Sequence, residues 1–255
     1  MLATWLIGVF AVIAAWFVAT GAVLWLDRRP VETYGVSLMA ATALAGVATA
    51  VILVTAEMGG AGAAWAGFFA ALVVWGWHEI SFLMGLVTGP RRLPCPPGAR
   101  GWKRFRFATA VLIHHEIALA ATALLLFMIT WGQPNQVAPL TFLLLFVMRL
   151  STKLNIFLGV PHMVTDMLPA HLDYMKSYFG PKTGRNVLMP VSLLLVAGLA
   201  VALAAGAVAA APGSAQSATL VILFTLTLLA LVEHLFLILP FRESAMWGWA
   251  MNQRH

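Results

Sequence analysis

The amino-acid sequence predicts an all-α, polytopic integral membrane protein with about seven transmembrane helices. Three observations support this fold class. Of the 255 residues, 62% are hydrophobic and only 9% are charged, whereas soluble domains carry roughly 25% charged residues. Seven apolar segments are each long enough to cross about 30 Å of hydrocarbon, which takes about 20 helical residues. All fifteen Lys and Arg residues lie on one side of this seven-crossing pattern.

The seven segments form a single transmembrane helical domain over residues 1–255. The first segment lacks the basic region of a cleavable signal peptide and is long enough to span the membrane. The one cysteine, Cys95, excludes an internal disulfide and a multi-thiolate metal centre. The predicted helices lie near 3–26, 36–56, 63–87, 106–131, 138–160, 188–211 and 217–239.

The Lys and Arg residues predict which side of the membrane each connection faces. They occur in or beside the connections after the first, third and fifth helices and in the C-terminal tail, whereas the turns 57–62, 132–136 and 211–217 contain none. Because basic residues are retained on the cytoplasmic side, the N-terminus is predicted to be periplasmic and the C-terminus cytoplasmic, in a bacterial inner membrane. The net charge of +6 then favours contact with anionic membrane lipid and does not indicate nucleic acid.

Two of the cytoplasmic connections have distinct compositions. Residues 88–98 contain too much Pro and Gly to be helical. In the connection after the fifth helix, Pro169 is a suitable first-turn residue. The residues Leu172, Met175 and Phe179 follow it at helical spacing. This pattern predicts an amphipathic helix near 166–179 that lies in the membrane interface.

Imidazole and carboxylate groups are adjacent to one another on three of the predicted helices. With a rise of 1.5 Å per residue, His114 lies roughly 12 Å from Arg106, and His234 lies equally far from Arg242. Ionisable groups inside a bilayer are costly and are usually kept for a function. We therefore expect a buried polar site near the cytoplasmic surface. The contributing residues are His78 and Glu79, then His114, His115 and Glu116, then Glu233 and His234, with Arg149 and Lys153 one turn apart on the fifth helix.

Three interpretations of this site remain open from the residues alone. One of four imidazoles (His78, His114, His115 or His234) binds the magnesium of a bacteriochlorophyll or a related tetrapyrrole. Alternatively, the site binds iron. In the third interpretation, the carboxylates pair with Arg149 and Lys153 and the histidines hold the bundle together through hydrogen bonds. The candidate iron ligands are His78, Glu79, His115, Glu116, His171, Glu233 and His234.

Two features of the sequence weigh against a dinuclear iron site. Three carboxylates against two cations leave only about one net negative charge. The chain also lacks His and Glu pairs at the spacings that place two ligands on one helix face.

The sequence contains several long motifs of unusual composition. They are Trp75–Leu83, Thr88–Arg92, Cys95–Trp102, His114–Glu116, Arg149–Ser151, Lys153–Asn155, Phe157–Pro161, Leu168–Leu172 and Glu233–His234. These motifs resemble those of the PuhE family, photosynthetic complex assembly proteins of phototrophic bacteria, and the resemblance extends over the length of the chain. One departure is His162, where the family pattern suggests Asn.

The resemblance implies an assembly factor for the photosynthetic reaction centre and its light-harvesting antenna. The implied partners are reaction-centre and light-harvesting subunits or other assembly factors, and the resemblance names no catalysed reaction. The hypothesis that combines this role with the polar site is transient binding of bacteriochlorophyll, another tetrapyrrole or a partner's helix. The alternative is a membrane-embedded iron oxidoreductase that acts on a pigment, carotenoid or quinone precursor, and a purely structural scaffold is a third hypothesis.

Overall fold

The computed structural model describes residues 2–162, 165, 167–182, 186–240 and 246–251, and within these ranges the regular secondary structure is entirely helical. The 3-10 helices Val31–Thr33 and Ala170–Tyr178 accompany the α-helices. The α-helices are α1 (Leu2–Asp27), α2 (Tyr34–Ala56), α3 (Ala61–Leu83), α4 (Gly101–Ile129), α5 (Val137–Leu158), α6 (Leu188–Ala209), α7 (Ala215–Phe236) and the short α8 (Gly248–Met251).

Helices α1 to α7 are long and apolar enough to cross a membrane. This confirms the prediction of a helical protein with seven candidate transmembrane segments. The side on which each terminus lies remains a prediction from the distribution of Lys and Arg. We therefore refer to the end of the bundle that carries these residues as the basic end.

Helix α3 lies at the centre of the bundle. In its most hydrophobic stretch 72% of the residues are buried, a larger share than in any other candidate span of the described chain. It packs against α1, α2, α5 and α7. The helix begins with the small residues Ala61–Ala64, which allow neighbouring backbones to approach closely. The fully buried rings of Phe68 and Phe142 belong to the core around it.

The predicted ends of two helices were wrong at the basic end. Helix α3 stops at Leu83, before the predicted end at 87. Gly85 has a φ of +76°, a left-handed conformation that glycine adopts without a steric penalty. Helix α4 begins at Gly101, earlier than the predicted 106. The predicted start of α4 excludes the basic residues before position 106 from the span, but a helix can continue past the hydrocarbon into the basic segment.

The connection between α3 and α4 folds back and bonds directly to the backbone of α4. The amide of His115 donates to the carbonyl of Thr88 over 3.0 Å, and the amide of Arg91 donates to the carbonyl of Ala110 over 3.1 Å. Between these two bonds lies Gly89. A Cβ atom at this position would come within 3 Å of backbone atoms of Ala110 and Val111. Only glycine allows the two backbones to approach this closely.

The segment predicted near 166–179 as an interfacial helix forms the 3-10 helix Ala170–Tyr178. Its predicted first residue, Asp166, lies outside the described residues. The buried side chains are Leu172, Met175 and Tyr178, which recur every three residues. A 3-10 helix has three residues per turn, so this spacing places all three on one face. That face packs against a small apolar cluster at the basic end.

Candidate functional site

Two ion pairs connect α5 to its neighbours near the basic end. Arg149 Nη2 lies 3.3 Å from Glu79 Oε2 on α3, and Lys153 Nζ lies 2.5 Å from Glu116 Oε1 on α4. Residues four apart on a helix share one face, so α5 presents both cations in the same direction. The ion pair between Lys153 and Glu116 is more enclosed than the other, because the two side chains are only 19% and 12% exposed. The Arg149 side chain is 41% exposed.

The imidazoles of His78 and His115 lie next to each other beside these ion pairs. Their ring centroids are 6.5 Å apart. His78 Nε2 is 2.9 Å from the hydroxyl of Thr122. The ring of His115 is fully buried against the ring of Phe82, at a centroid distance of 4.5 Å. Neither ring nitrogen of His115 has a hydrogen-bond partner in the described part of the chain, so its side chain is desolvated without compensation.

His234 belongs to a second polar cluster, between α5, α6 and α7. Its Nδ1 lies 2.8 Å from the carbonyl oxygen of Ala230. A carbonyl only accepts, so Nδ1 carries the hydrogen and donates. Its Nε2 lies 2.9 Å from the hydroxyl of Ser151, which is 3.1 Å from the hydroxyl of Ser192. This imidazole is therefore bonded through both nitrogens and does not meet His78 or His115.

Asn155 connects the second cluster to the start of α6. Its side chain is fully buried and donates to the carbonyl of Ser151 and the hydroxyl of Ser192, each over 3.0 Å. Its carbonyl oxygen accepts from Asn186 Nδ2 over 2.9 Å. The sequence analysis above predicts no role for the side chains of Asn155 and Ser192. The feature that could have indicated this network is an amide side chain, Asn155, on an apolar span one turn after Ser151.

We expect Asn155→Ala to lower the free energy of unfolding by about 1–3 kcal/mol, because it leaves buried partners of a hydrogen-bond network unsatisfied. The measurement is thermal unfolding of the purified protein in a mild detergent. Thr49→Ala is a matched control, since among the described residues that hydroxyl bonds only to the carbonyl of Ala45 in its own helix. Equal midpoints for the two variants would contradict a structural role of the network.

Three candidate residues remain: His114 and His171 lie apart from both clusters, and Glu233 borders the first. His114 is exposed on α4, about 100° around the helix from the inward-facing His115. His171 lies on the 3-10 helix, and its Nε2 is 2.8 Å from the carbonyl oxygen of Leu83 at the end of α3. Glu233 is half-buried and lines a cavity together with Glu79 and Arg149.

The structure therefore divides the predicted site into separate parts. One part is a cluster on α3, α4 and α5, and another is the His234 network. Within the described residues, no three His, Cys, Asp or Glu side chains are gathered so that they could hold a metal ion. The iron hypothesis thus has no ligand set in this part of the chain. The first cluster contains His78, Glu79, His115, Glu116, Arg149 and Lys153.

The four imidazoles proposed as tetrapyrrole ligands differ in access. His78, His115 and His234 are buried, at 3%, 0% and 0% exposure, and their rings contact protein groups. A macrocycle could reach them only if helices separated. His114 is the one of the four that is exposed on the outer surface of the bundle.

Comparison with known proteins gives a family and a relative. A family model described as "Protein of unknown function (DUF3623)" matches residues 1–255. A protein of Rhodobacter capsulatus, named "Uncharacterized 30.4 kDa protein in puhA 5'region", is 34% identical over 256 residues. The alignment covers 97% of this chain and 90% of the relative. No solved structure is significantly similar to the chain.

Proposed function

The chain belongs to the DUF3623 family, and from its similarity to a relative in the puhA 5' region we propose that it supports assembly of the photosynthetic reaction centre and its antenna. The position that this relative's name gives, in the puhA 5' region, is the observation that carries the proposal. This position agrees with the resemblance of the long sequence motifs to the PuhE family. We propose that the chain is a protein of the PuhE type. The seven apolar helices are consistent with an assembly factor embedded in the bacterial inner membrane, beside the subunits it serves.

We propose that His114 provides the contact through which this protein handles a bacteriochlorophyll or a related tetrapyrrole. The imidazole is exposed on a candidate membrane span, where an unsatisfied polar group is costly. A neutral imidazole is a common metal ligand, and binding the magnesium of a pigment would satisfy it. Apolar side chains on the same helix, including Ile117 and Leu124 at 58% and 62% exposure, would contact the macrocycle or its tail.

Purification in gentle detergent from phototrophically grown cells tests this proposal. We expect an absorption spectrum and a solvent extract that contain tetrapyrrole, and we expect both to be lost in His114→Ala while the thermal midpoint is unchanged. Added imidazole should partly restore pigment binding to this variant, since it can replace the missing ligand. Leu194→Ala removes an exposed apolar side chain from α6, a different candidate span, and is the control that should keep the pigment.

Three outcomes separate the pigment and assembly roles from their alternatives. A colourless protein that also fails to bind added pigment would remove the pigment role and leave the assembly role to be tested by deletion of the gene. If deletion leaves the amounts of reaction centre and antenna unchanged, the assembly role is contradicted as well. Loss of a co-purifying subunit in His114→Ala, without any pigment, would instead indicate that His114 contacts a partner's helix.

A further inference from the structure

A run of basic residues without acidic neighbours extends from the end of α3 into α4. Residues 80–115 contain no Asp or Glu, but they contain Arg91, Arg92, Arg100, Lys103, Arg104 and Arg106. Because like charges repel one another, a segment of this composition is stabilised by acceptors elsewhere in the protein or by an anionic partner outside it. The hydrogen bonds of the six side chains distinguish these two cases.

Three of these cations bind to the protein itself. Arg91 Nε donates to the phenol oxygen of Tyr178 over 2.8 Å, and Arg104 Nη2 donates to the backbone carbonyl of Tyr178 over 2.6 Å. Arg92 Nη2 donates to the carbonyl of Gly85 over 3.0 Å. These bonds hold the connection and the start of α4 in place. The acceptors are neutral groups, so the positive charge of the segment is not compensated by them.

The other three cations face away from the protein. Arg100, Lys103 and Arg106 are exposed, and within the described part of the chain their side chains have no hydrogen bond and no ion pair. Lys103 and Arg106 are three residues apart and are therefore neighbours on the surface of α4. Arg100 immediately precedes the helix. We call these three residues the basic patch. Beside it, the 71% exposed indole of Trp102 stacks on Phe105 at a centroid distance of 5.0 Å.

The length of α4 places the basic patch at the level of the lipid headgroups. The helix has 29 residues and is therefore about 44 Å long. The hydrocarbon of a bilayer is about 30 Å thick, and the bilayer with its headgroups is about 40–45 Å thick. The stretch from Gly101 to Arg106 rises about 8 Å, which matches one headgroup layer. Trp131, 82% exposed just beyond the other end of α4, is a residue type enriched at membrane interfaces.

We propose that the basic patch binds the headgroup of an acidic phospholipid. The N–H groups of Arg and Lys donate charge-assisted hydrogen bonds to phosphate oxygens, and an acidic headgroup supplies the net negative charge that a zwitterionic one lacks. Because the patch lies within the headgroup layer, a lipid reaches it more readily than an acidic segment of a soluble protein does. The site is separate from His114, which lies roughly 12 Å deeper than Arg106, and it does not depend on the assembly role.

The test is equilibrium binding of radiolabelled phospholipids to the immobilised full chain, delipidated in a mild detergent. Phosphatidylglycerol and phosphatidylcholine with identical acyl chains are compared, and resin without protein gives the background. Each basic residue near an anionic membrane surface raises the affinity by about fivefold. We therefore expect phosphatidylglycerol to bind at least about tenfold more tightly. This preference should decrease at high salt, because the screening length falls from about 10 Å at 0.1 M to about 3 Å at 1 M.

Two lysine variants locate the lipid. Lys103→Gln and Lys182→Gln each remove one exposed ammonium group at the basic end, and only the first belongs to the patch. We expect Lys103→Gln to weaken the binding of phosphatidylglycerol by about fivefold and to leave the binding of phosphatidylcholine unchanged. The matched control Lys182→Gln should bind both lipids as the wild type does.

Two multiple variants test whether the charge of the patch selects the lipid. Replacement of Arg100, Lys103 and Arg106 by Gln should abolish the preference for phosphatidylglycerol. Replacement of the two arginines by Lys keeps all three charges and should keep the preference. Neither variant should change the midpoint of thermal unfolding, because these side chains form no bonds within the described chain.

The proposal is overturned if the wild-type protein binds the two lipids equally, or if Lys103→Gln and Lys182→Gln behave alike. It is also overturned if the triple Gln variant keeps the preference, since the acidic lipid would then bind elsewhere. Glycerol 3-phosphate carries a phosphate without acyl chains, and at millimolar concentration it should not displace the bound lipid. Displacement would assign the patch to a soluble phosphate compound instead. If the triple variant fails to fold, the comparison of the two lysine variants decides the question.

Discussion

Gly89→Ala is expected to prevent the connection between α3 and α4 from docking, and to reduce sharply the amount of folded protein in the membrane. The new methyl group would lie within 3 Å of backbone atoms of Ala110 and Val111, which cannot rotate away as a side chain could. Separating the backbones would relieve this contact, but it would break the bonds that His115 and Arg91 make across the junction. Overpacking of about 1–3 kcal/mol and two hydrogen bonds of about 1 kcal/mol each together predict a loss of about 3–5 kcal/mol.

The measurement is the midpoint of thermal unfolding in detergent, together with the amount of protein in isolated membranes. Gly198→Ala is the control, because among the described residues no atom beyond its chain neighbours and the nearby backbone of α6 lies within 4 Å of the Cβ position at Gly198. Alanine is favoured over glycine inside a helix by about 0.5–1 kcal/mol, so this variant should be at least as stable as the wild type. If Gly89→Ala is as stable as Gly198→Ala, the direct backbone contact is not present in the protein.

The contrast between these glycines shows what the sequence could and could not predict about the fold. The seven candidate spans were predictable, because the thickness of the hydrocarbon fixes the length of an apolar segment. The docking of Gly89 was not predictable, because it joins residues that are distant in sequence. An amphipathic helix was predicted near 166–179, and the structure has the 3-10 helix Ala170–Tyr178 there, with buried residues at 172, 175 and 178 that follow a period of three. Its location in the membrane interface stays a prediction.

The candidate site was predicted in composition but not in arrangement. Distance along a helix gives the depth of a residue, and it does not give the direction in which the side chain points. The sequence predicts that His114 and His115 are about 100° apart on the helix, so that at most one of them faces a shared centre, and the structure places the first outside and the second fully buried. The sequence likewise predicted His234 in the same site as His78, but the packing of α7 against α5 and α6 joins its imidazole to Ser151 and, through that hydroxyl, to Ser192. Only the contacts between helices distinguish these cases.

Glu116→Leu is expected to destabilise the protein by about 3–5 kcal/mol, because it leaves the ammonium group of Lys153 buried without a counter-charge. The two side chains are 12% and 19% exposed, so water reaches them poorly. The ring of Phe82 lies 5.4 Å from Lys153 Nζ, and a cation–π contact of about 0.5–2 kcal/mol cannot replace a carboxylate. The midpoint of thermal unfolding in detergent measures the loss.

A double variant distinguishes the cost of an unpaired charge from the value of the pair itself. Glu116→Leu combined with Lys153→Met removes both charges and keeps similar volumes, and replacement of a buried pair by apolar residues is often neutral or stabilising by about 1–4 kcal/mol. We therefore expect the double variant to regain most of the stability lost in Glu116→Leu. If it instead loses the full 3–5 kcal/mol or more, the ion pair itself stabilises the bundle. The pair would then be an attractive contact between α4 and α5 that apolar packing cannot replace.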